Sequence, residues 1–192
     1  MPTTRRARNT ASAAAAEPSR AQYEPRRPEG LDDVDLAIVS LLSEDARLSQ
    51  RALARRIGMS PAAVSERIAR LEDTGVVEGY RAKLSYSALD RAMTVFVGIQ
   101  SVQGENQRRL ADELLALPVV ESVDVVMGPM DLMVRLRVRD QAHLRDVFFD
   151  DILSLSGVHR TESFISLESM EAENFGRQVV DSMRHSPPGD VR

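Results

Sequence analysis

Leu48–Leu71, LSQRALARRIGMSPAAVSERIARL, is the stretch on which the reading of this chain turns. Gly58 follows Ile57 where a left-handed residue ends a helix without a Cβ clash. Ser49 and Ser60 each stand where a helix needs an N-cap. Pro61 takes the first position of the second helix, where its missing amide hydrogen costs nothing. The stretch therefore predicts two short helices around a tight turn at Ile57–Ser60. Leu53 and Ile57 make the apolar seam of the first, and Val64, Ile68 and Leu71 that of the second. Such spacing suits a helix-turn-helix, whose second helix presents its N-terminal face to a DNA groove while the first braces it.

The formal net charge of −4 at first argues against nucleic acid, but DNA responds to a local patch rather than to the whole chain. From Arg47 to Arg70 the bases are Arg47, Arg51, Arg55, Arg56, Arg67 and Arg70, against the single acid Glu66. Ala62, Ala63, Ser65, Glu66, Arg67, Ala69 and Arg70 fall outside the buried stripe. Small residues would let the helix approach a groove closely, with Ser65, Arg67 and Arg70 reaching bases or phosphates. The expected DNA contacts are Arg47, Ser49, Arg51, Ser60, Pro61, Ala62, Ala63, Ser65, Glu66, Arg67, Arg70 and, from the next segment, Arg81. Arg67 is expected to be removable without unfolding. A plain three-helix packing unit with solvated arginines is the blander alternative; cap, proline, glycine and basic side all agree on the sharper one.

Upstream, Asp32 or Asp33 can cap a supporting helix in which Leu31, Val34 or Asp35, Ile38, Leu41 and Leu42 recur at helical spacing. Residues 1–30, rich in Ala, Pro, Arg and Ser, read as a disordered tail. Its Arg5, Arg6, Arg8, Arg20, Arg26 and Arg27 either only solubilise it or add nonspecific phosphate contacts. Downstream, Gly75 ends the recognition helix, and VVEGYRAKL reads as a two-stranded wing turning at Glu78–Gly79, with Arg81 and Lys83 on its far arm.

The period then changes from helical to alternating, which divides the chain into a DNA-binding domain (31–84), a linker (85–93), a second domain (94–168) and a C-terminal extension (169–192). Strands are expected at Thr94–Val102, Val119–Met127, Leu132–Val138 and Val158–Leu167, and helices at Asn106–Leu117 and about Ala142–Leu153. The order βαββαβ is that of a ferredoxin-like unit, so the fold class is α+β: a winged helix-turn-helix followed by that domain. In the third strand Leu132, Val134, Leu136 and Val138 alternate with Met133, Arg135, Arg137 and Arg139, giving one core face and one arginine stripe. A turn pairing Met127 with Leu132 would set Asp124 opposite Arg135. A partner subunit is expected to cover that second face. In the extension, Ala172, Phe175, Val179 and Met183 suggest one more helix, followed by a frayed end at Pro187, Pro188 and Gly189.

The chain has no cysteine and no tryptophan, which excludes disulfides, thiolate metal sites and cysteine nucleophiles. No apolar run approaches the roughly 20 residues of a membrane span, and Ala13–Ala16 is too short for a signal-peptide core. A cytoplasmic protein without membrane contact is expected. His143, His159 and His185 are isolated, and no Ser-His-Asp grouping, phosphate loop or paired-carboxylate motif is present, so neither catalytic residues, metal nor cofactor is expected.

LDDVDLAIVSLLSEDARLS, SPAAVSERIARLEDTGVVEGY and MGPMDLMVRLRV are similar to the opening helix, the recognition helix with its wing, and the Gly-x-aromatic-Asp segment of the Lrp/AsnC, or feast/famine, transcription regulators. The resemblance covers roughly Leu31–Glu168. It implies a sequence-specific regulator of double-stranded DNA, a homodimer formed through the sheet domains and assembled further into tetramers or octamers, and an amino acid or related metabolite as effector. Carried onto this chain, the effector site comprises Gly128, Met130, Asp131 and Leu132. The usually aromatic position is Met130, and Pro129 before it removes one backbone donor. A dimer would set two recognition helices about 34 Å apart on an imperfect palindrome. Two other readings stand beside this one: an architectural DNA protein without a ligand, and an enzyme resembling siroheme decarboxylases on the same fold.

Overall fold

The computed structural model describes residues 27–102 and 106–184, in two compact units. Most of the expected tail, including Arg5, Arg6, Arg8, Arg20 and Arg26, and the end containing His185, Pro187, Pro188 and Gly189 lie outside the described residues. The first unit joins the N-terminal segment through Gly79 to residues from Glu173 onward; the second is Tyr80–Ala172. The chain thus enters and leaves the second unit from the first, so the 85–93 segment falls inside the second unit and the C-terminal helix inside the first.

In the first unit α1 (Asp33–Glu44), α2 (Gln50–Ile57) and α3 (Pro61–Asp73) form the expected three helices. Their starts are set by local chemistry. Asp32 accepts from the Asp35 N–H while the Asp35 side chain accepts from the Asp32 N–H, a reciprocal capping box. Ser49 and Ser60 accept from the Ala52 and Ala63 N–H groups, and Gly58 ends α2 at φ 78°. Ile38, Leu42, Leu53, Ala54, Val64, Ile68 and Leu71 close the core between them.

The expected wing does not form as a ladder: no strand covers Val76–Leu84. The Val77 N–H instead donates to the Leu71 carbonyl, and Val77 packs on the three-helix core.

In the second unit β1 (Met93–Ser101), β2 (Val120–Val125), β3 (Leu132–Val138) and β4 (Val158–Ile165) form an antiparallel sheet in the order β2-β3-β1-β4. Helix α4 (Gln107–Leu115) and α5 (Gln141–Asp146), the latter continuing as a π-helical turn over Val147–Ile152, complete the ferredoxin-like arrangement. Val95, Val97 and Ile99 of β1 and Leu132, Val134, Leu136 and Val138 of β3 are fully buried with Leu110, Leu114 and Ile152 of the helices. Alternation along β3, matched on β1 by Val95, Val97 and Ile99, is what assigns the core face.

The β2–β3 register differs from expectation by two residues. Val125 pairs with Leu132 and Asp124 with Met133, because Val126 N–H donates to the Asp131 carbonyl and the turn is Met127–Met130. A shift of two leaves every side chain on its expected face. The ion pair expected between Asp124 and Arg135 is absent; Arg135 stands opposite Ser122 and lies over the Phe96 ring at 5.2 Å. The register shift between Val120 and Ser122 frees Glu121 to reach Arg137 Nε at 2.6 Å instead.

Gly98, central on β1, is buried beneath Met130. A Cβ built at Gly98 would meet Met130 Cγ at 2.9 Å, inside any real contact. The turn side chain is therefore seated on bare strand backbone, and glycine is required there by space rather than by φ. Gly98→Val should destabilise the second unit by roughly 1–3 kcal/mol. In Met130→Ala the same substitution should cost less than half as much, read from urea midpoints in a double-mutant cycle.

Candidate nucleic-acid interface and effector turn

The interface is built on a charged residue at the heart of the first unit. Asp35 lies in the third position of α1, on the seam with Ile38 and Leu42, and is fully buried. One of its oxygens, Oδ1, accepts from Arg67 at 2.7 Å; the other, Oδ2, accepts from Arg70 at 2.6 Å and from the Asp32 N–H at 3.0 Å. Arg67 also donates to Asp32 Oδ2 at 2.7 Å. Burial alone would raise the Asp32 carboxyl. The Asp35 N–H and the Arg67 guanidinium outweigh it and hold that carboxyl below its usual value. Arg67 is in turn raised, first by its bond to Asp32 and then by that to Asp35.

Two of the expected DNA-facing arginines are therefore directed inward. Arg67 is one-quarter and Arg70 one-half exposed, both tied to a carboxylate with no access to water. Loss of Arg67 would leave the buried Asp35 carboxylate with one fewer cation, so its removal bears on stability as well as on DNA contact.

The remaining expected residues divide by exposure. Arg47, Ser49, Arg51, Ser60, Pro61, Ala62 and Glu66 are exposed, while Ala63 and Ser65 are half-buried. The cap bonds use the Ser49 and Ser60 oxygens as acceptors, leaving each hydroxyl proton to donate. Ser65 Oγ accepts from Gln50 Nε2 at 3.1 Å, a cross-brace from the start of α2 to the first turns of α3. Arg81 belongs to the second unit.

Sequence reasoning missed both Asp35 as an ion acceptor and Gln50 as a brace. A signal for Asp35 existed: an acid on an otherwise apolar seam, with arginines three apart on the recognition helix. Gln50 carries none, because its partner is fixed only by how α2 and α3 cross.

In the second unit the expected effector residues surround the β2–β3 turn. Gly128 is exposed at φ 157° with open space around its α-carbon. Asp131 Oδ2 accepts from the Ser101 N–H at 2.7 Å and from the Ser101 hydroxyl at 2.8 Å, while its own N–H donates to the Ile99 carbonyl. The Ser101 amide, then its hydroxyl, hold the carboxyl below its usual value, so it is charged at neutral pH. Met130 is 8% exposed and Leu132 fully buried. These two side chains support the turn from beneath and do not face solvent; Gly128 and Asp131 are the reachable members of the set.

On the opposite side of the sheet from the helices, Arg137 bonds Glu121 and Thr94 and lies over the Tyr86 ring at 4.5 Å. On the same face Phe164 of β4, paired with Phe96 of β1, is 54% exposed.

Comparison with known proteins agrees with both units. Residues 31–78 match the family model for winged helix-turn-helix DNA binding, and residues 94–174 that for the Lrp/AsnC ligand binding domain. The leucine-responsive regulatory protein of Haemophilus influenzae is 32% identical over 156 residues, 80% of this chain and 94% of that protein. The protein of the same name from Escherichia coli K12 is 31% identical over 152 residues, covering 78% and 93%. Among solved structures, a transcriptional regulator of Neisseria meningitidis in complex with L-Met superposes with a TM-score of 0.70 at 27% identity, over 73% of this chain and 92% of that one. The leucine response regulatory protein of Mycobacterium tuberculosis does so with 0.65 at 32% identity, over 74% and 96%.

Arg67→Ala should lower the stability of the first unit by about 1–3 kcal/mol, the cost of leaving a buried carboxylate under-satisfied. Arg51→Ala, on an exposed site, should change it by less than about 0.5 kcal/mol. Equal melting curves for the two variants would remove the inward role of Arg67. Helix-turn-helix geometry in the first unit, the four-stranded antiparallel sheet of the second and relatives matched over nearly their whole length lead to one assignment: the chain belongs to the Lrp/AsnC family of DNA-binding transcription regulators.

Proposed function

We propose that this regulator reads DNA with the first turns of α3 and responds to an amino acid or related metabolite at the β2–β3 turn. The observation that carries the DNA reading is a recognition helix locked from behind by Asp35 and braced by Gln50, with Ser60, Pro61 and Ala62 exposed at its front. Arg47 and Arg51 flank that front and supply phosphate contacts, with Ser49, Ser60, Ala63, Ser65 and Glu66 at the groove. Arg67 and Arg70 hold the helix at its working angle, and Arg70 keeps half its surface for a phosphate. Arg81 adds a backbone contact. An alanine-rich front makes few direct base bonds, so shape and phosphate carry much of the recognition.

The effector reading rests on the matched ligand-binding domain and on a reachable, ionised Asp131 beside an open glycine. A carboxylate there attracts an α-ammonium, and the Gly128 backbone allows close approach of an α-carboxylate. The L-Met bound by the Neisseria relative supports an amino acid as the class. The protein acts by binding rather than catalysis, in the cytoplasm, as a homodimer through the arginine-striped sheet face where Phe164 is exposed, with tetramers or octamers built from it. Ligand binding alters DNA affinity only insofar as it favours one assembly over another.

Thermal shift of the full chain with L-methionine, L-leucine and other amino acids tests this, alongside anisotropy on DNA from upstream of its own gene. At a hundred times its Kd a true effector adds about 2.7 kcal/mol of stability. That gain should vanish in Asp131→Ala and be accompanied by a change in DNA affinity or assembly size. DNA binding that responds to none of these compounds would favour the ligand-independent architectural reading.

A further inference from the structure

Helix α6 (Phe175–Arg184) lies beyond both matched family segments, which end at residues 78 and 174. It nevertheless belongs to the DNA-binding unit, packed along α1. Its buried side is not the apolar one expected from sequence. Phe175 is 65% exposed and Val179 is also exposed, whereas Val180 is buried, and Gly176, one turn before it, sits against Ser43 of α1. A Cβ built at Gly176 would be 3.3 Å from Ser43 Cβ. Arg177 pairs with Glu44 at the C-terminal end of α1, where the last turn of that helix has no basic residue of its own. Leu36 and Ser40 of α1 are buried although they lie off the seam with α2 and α3. Spaced with Ser43 along one face of α1, they mark a second covered side.

Helix α1 is thus held twice: by α6 on one side and, through Asp35, by Arg67 and Arg70 of the recognition helix on another. The effector unit is inserted between α3 and α6, so it has two covalent leads into the DNA-binding unit. Within that effector unit the leads run side by side: Lys83, just after the entry at Tyr80, pairs with Glu171, just before the exit at Ala172, at 2.7 Å.

We propose that α6 is a clasp on α1, with Val180 as the positioning residue for the recognition helix. A change in the effector unit that pulls on the exit lead shifts α1, and with it the mount of α3. This goes beyond the residues assigned above to DNA and effector, and it does not depend on which effector binds.

The absence of native cysteine makes the test direct. In the full chain, Ser43→Cys with Gly176→Cys places two sulfurs where the Cβ separation is close to that of a disulfide, about 3.5–4.5 Å. Oxidation should give an intrachain disulfide and leave affinity for the upstream DNA fragment unchanged. Val180→Asp should weaken that affinity roughly fivefold, a normal size for coupling through a packed element. It should do so while melting stays cooperative and above the assay temperature; Val180→Ile should have no effect. Adding the oxidised disulfide to Val180→Asp should restore binding, and reduction should remove the rescue. Failure to cross-link, a covalent dimer in place of the intrachain bond, or unchanged affinity in Val180→Asp would overturn the clasp.

Discussion

The DNA-binding unit depends on one buried carboxylate. Asp35 has no water contact, and three donors converge on it: the Arg67 and Arg70 guanidiniums and the Asp32 amide. A charge in that position is tolerable only while its partners stay in place. The same residue therefore starts α1, through the capping box, and fixes α3 against it, through the two arginines. A hydrophobic residue at position 35 could fill the seam, but it would not specify the rotation of α3 about its own axis. Two directed ion pairs three residues apart on α3 do specify it, and that rotation decides which residues reach the groove.

In the sheet unit the corresponding constraint is steric. Met130 rests where Gly98 has no side chain, and Asp131 bonds Ser101 at the neighbouring point of β1. The turn that presents Gly128 and the Asp131 charge is thus anchored from below and from one side. A ligand that bears on this turn bears on β1 as well, and β1 pairs with both β3 and β4. Met130 in place of an aromatic side chain makes the seat flexible while keeping it filled.

What could be read from the sequence was what local chemistry dictates. Ser49, Ser60, Pro61 and Gly58 mark helix ends through bonds to residues no more than a turn away, and β3 shows its two faces by alternation alone. The family resemblance and the order of elements followed from these. Features set by distant partners were not legible. The arginines that meet Asp35 lie 32 and 35 positions along the chain. The extra residue at Glu121, which redirects the ion pair of the arginine stripe to Arg137, arises only when β2 pairs with β3. The buried side of α6 escaped notice because hydropathy weighs side chains. Its closest approach to α1 is made by Gly176, which has none.

That Asp35 sets the pose of the recognition helix is tested most directly by the ratio of affinities of full-length Asp35→Asn for its upstream DNA fragment and for random DNA of equal length, at fixed salt and below the melting transition. The phosphate contacts proposed for Arg47 and Arg51 are untouched by that substitution, so nonspecific binding should persist with a similar salt dependence. The ratio should fall by about tenfold or more, the loss expected when base-edge contacts are misplaced. An unchanged ratio in folded Asp35→Asn would contradict the claim.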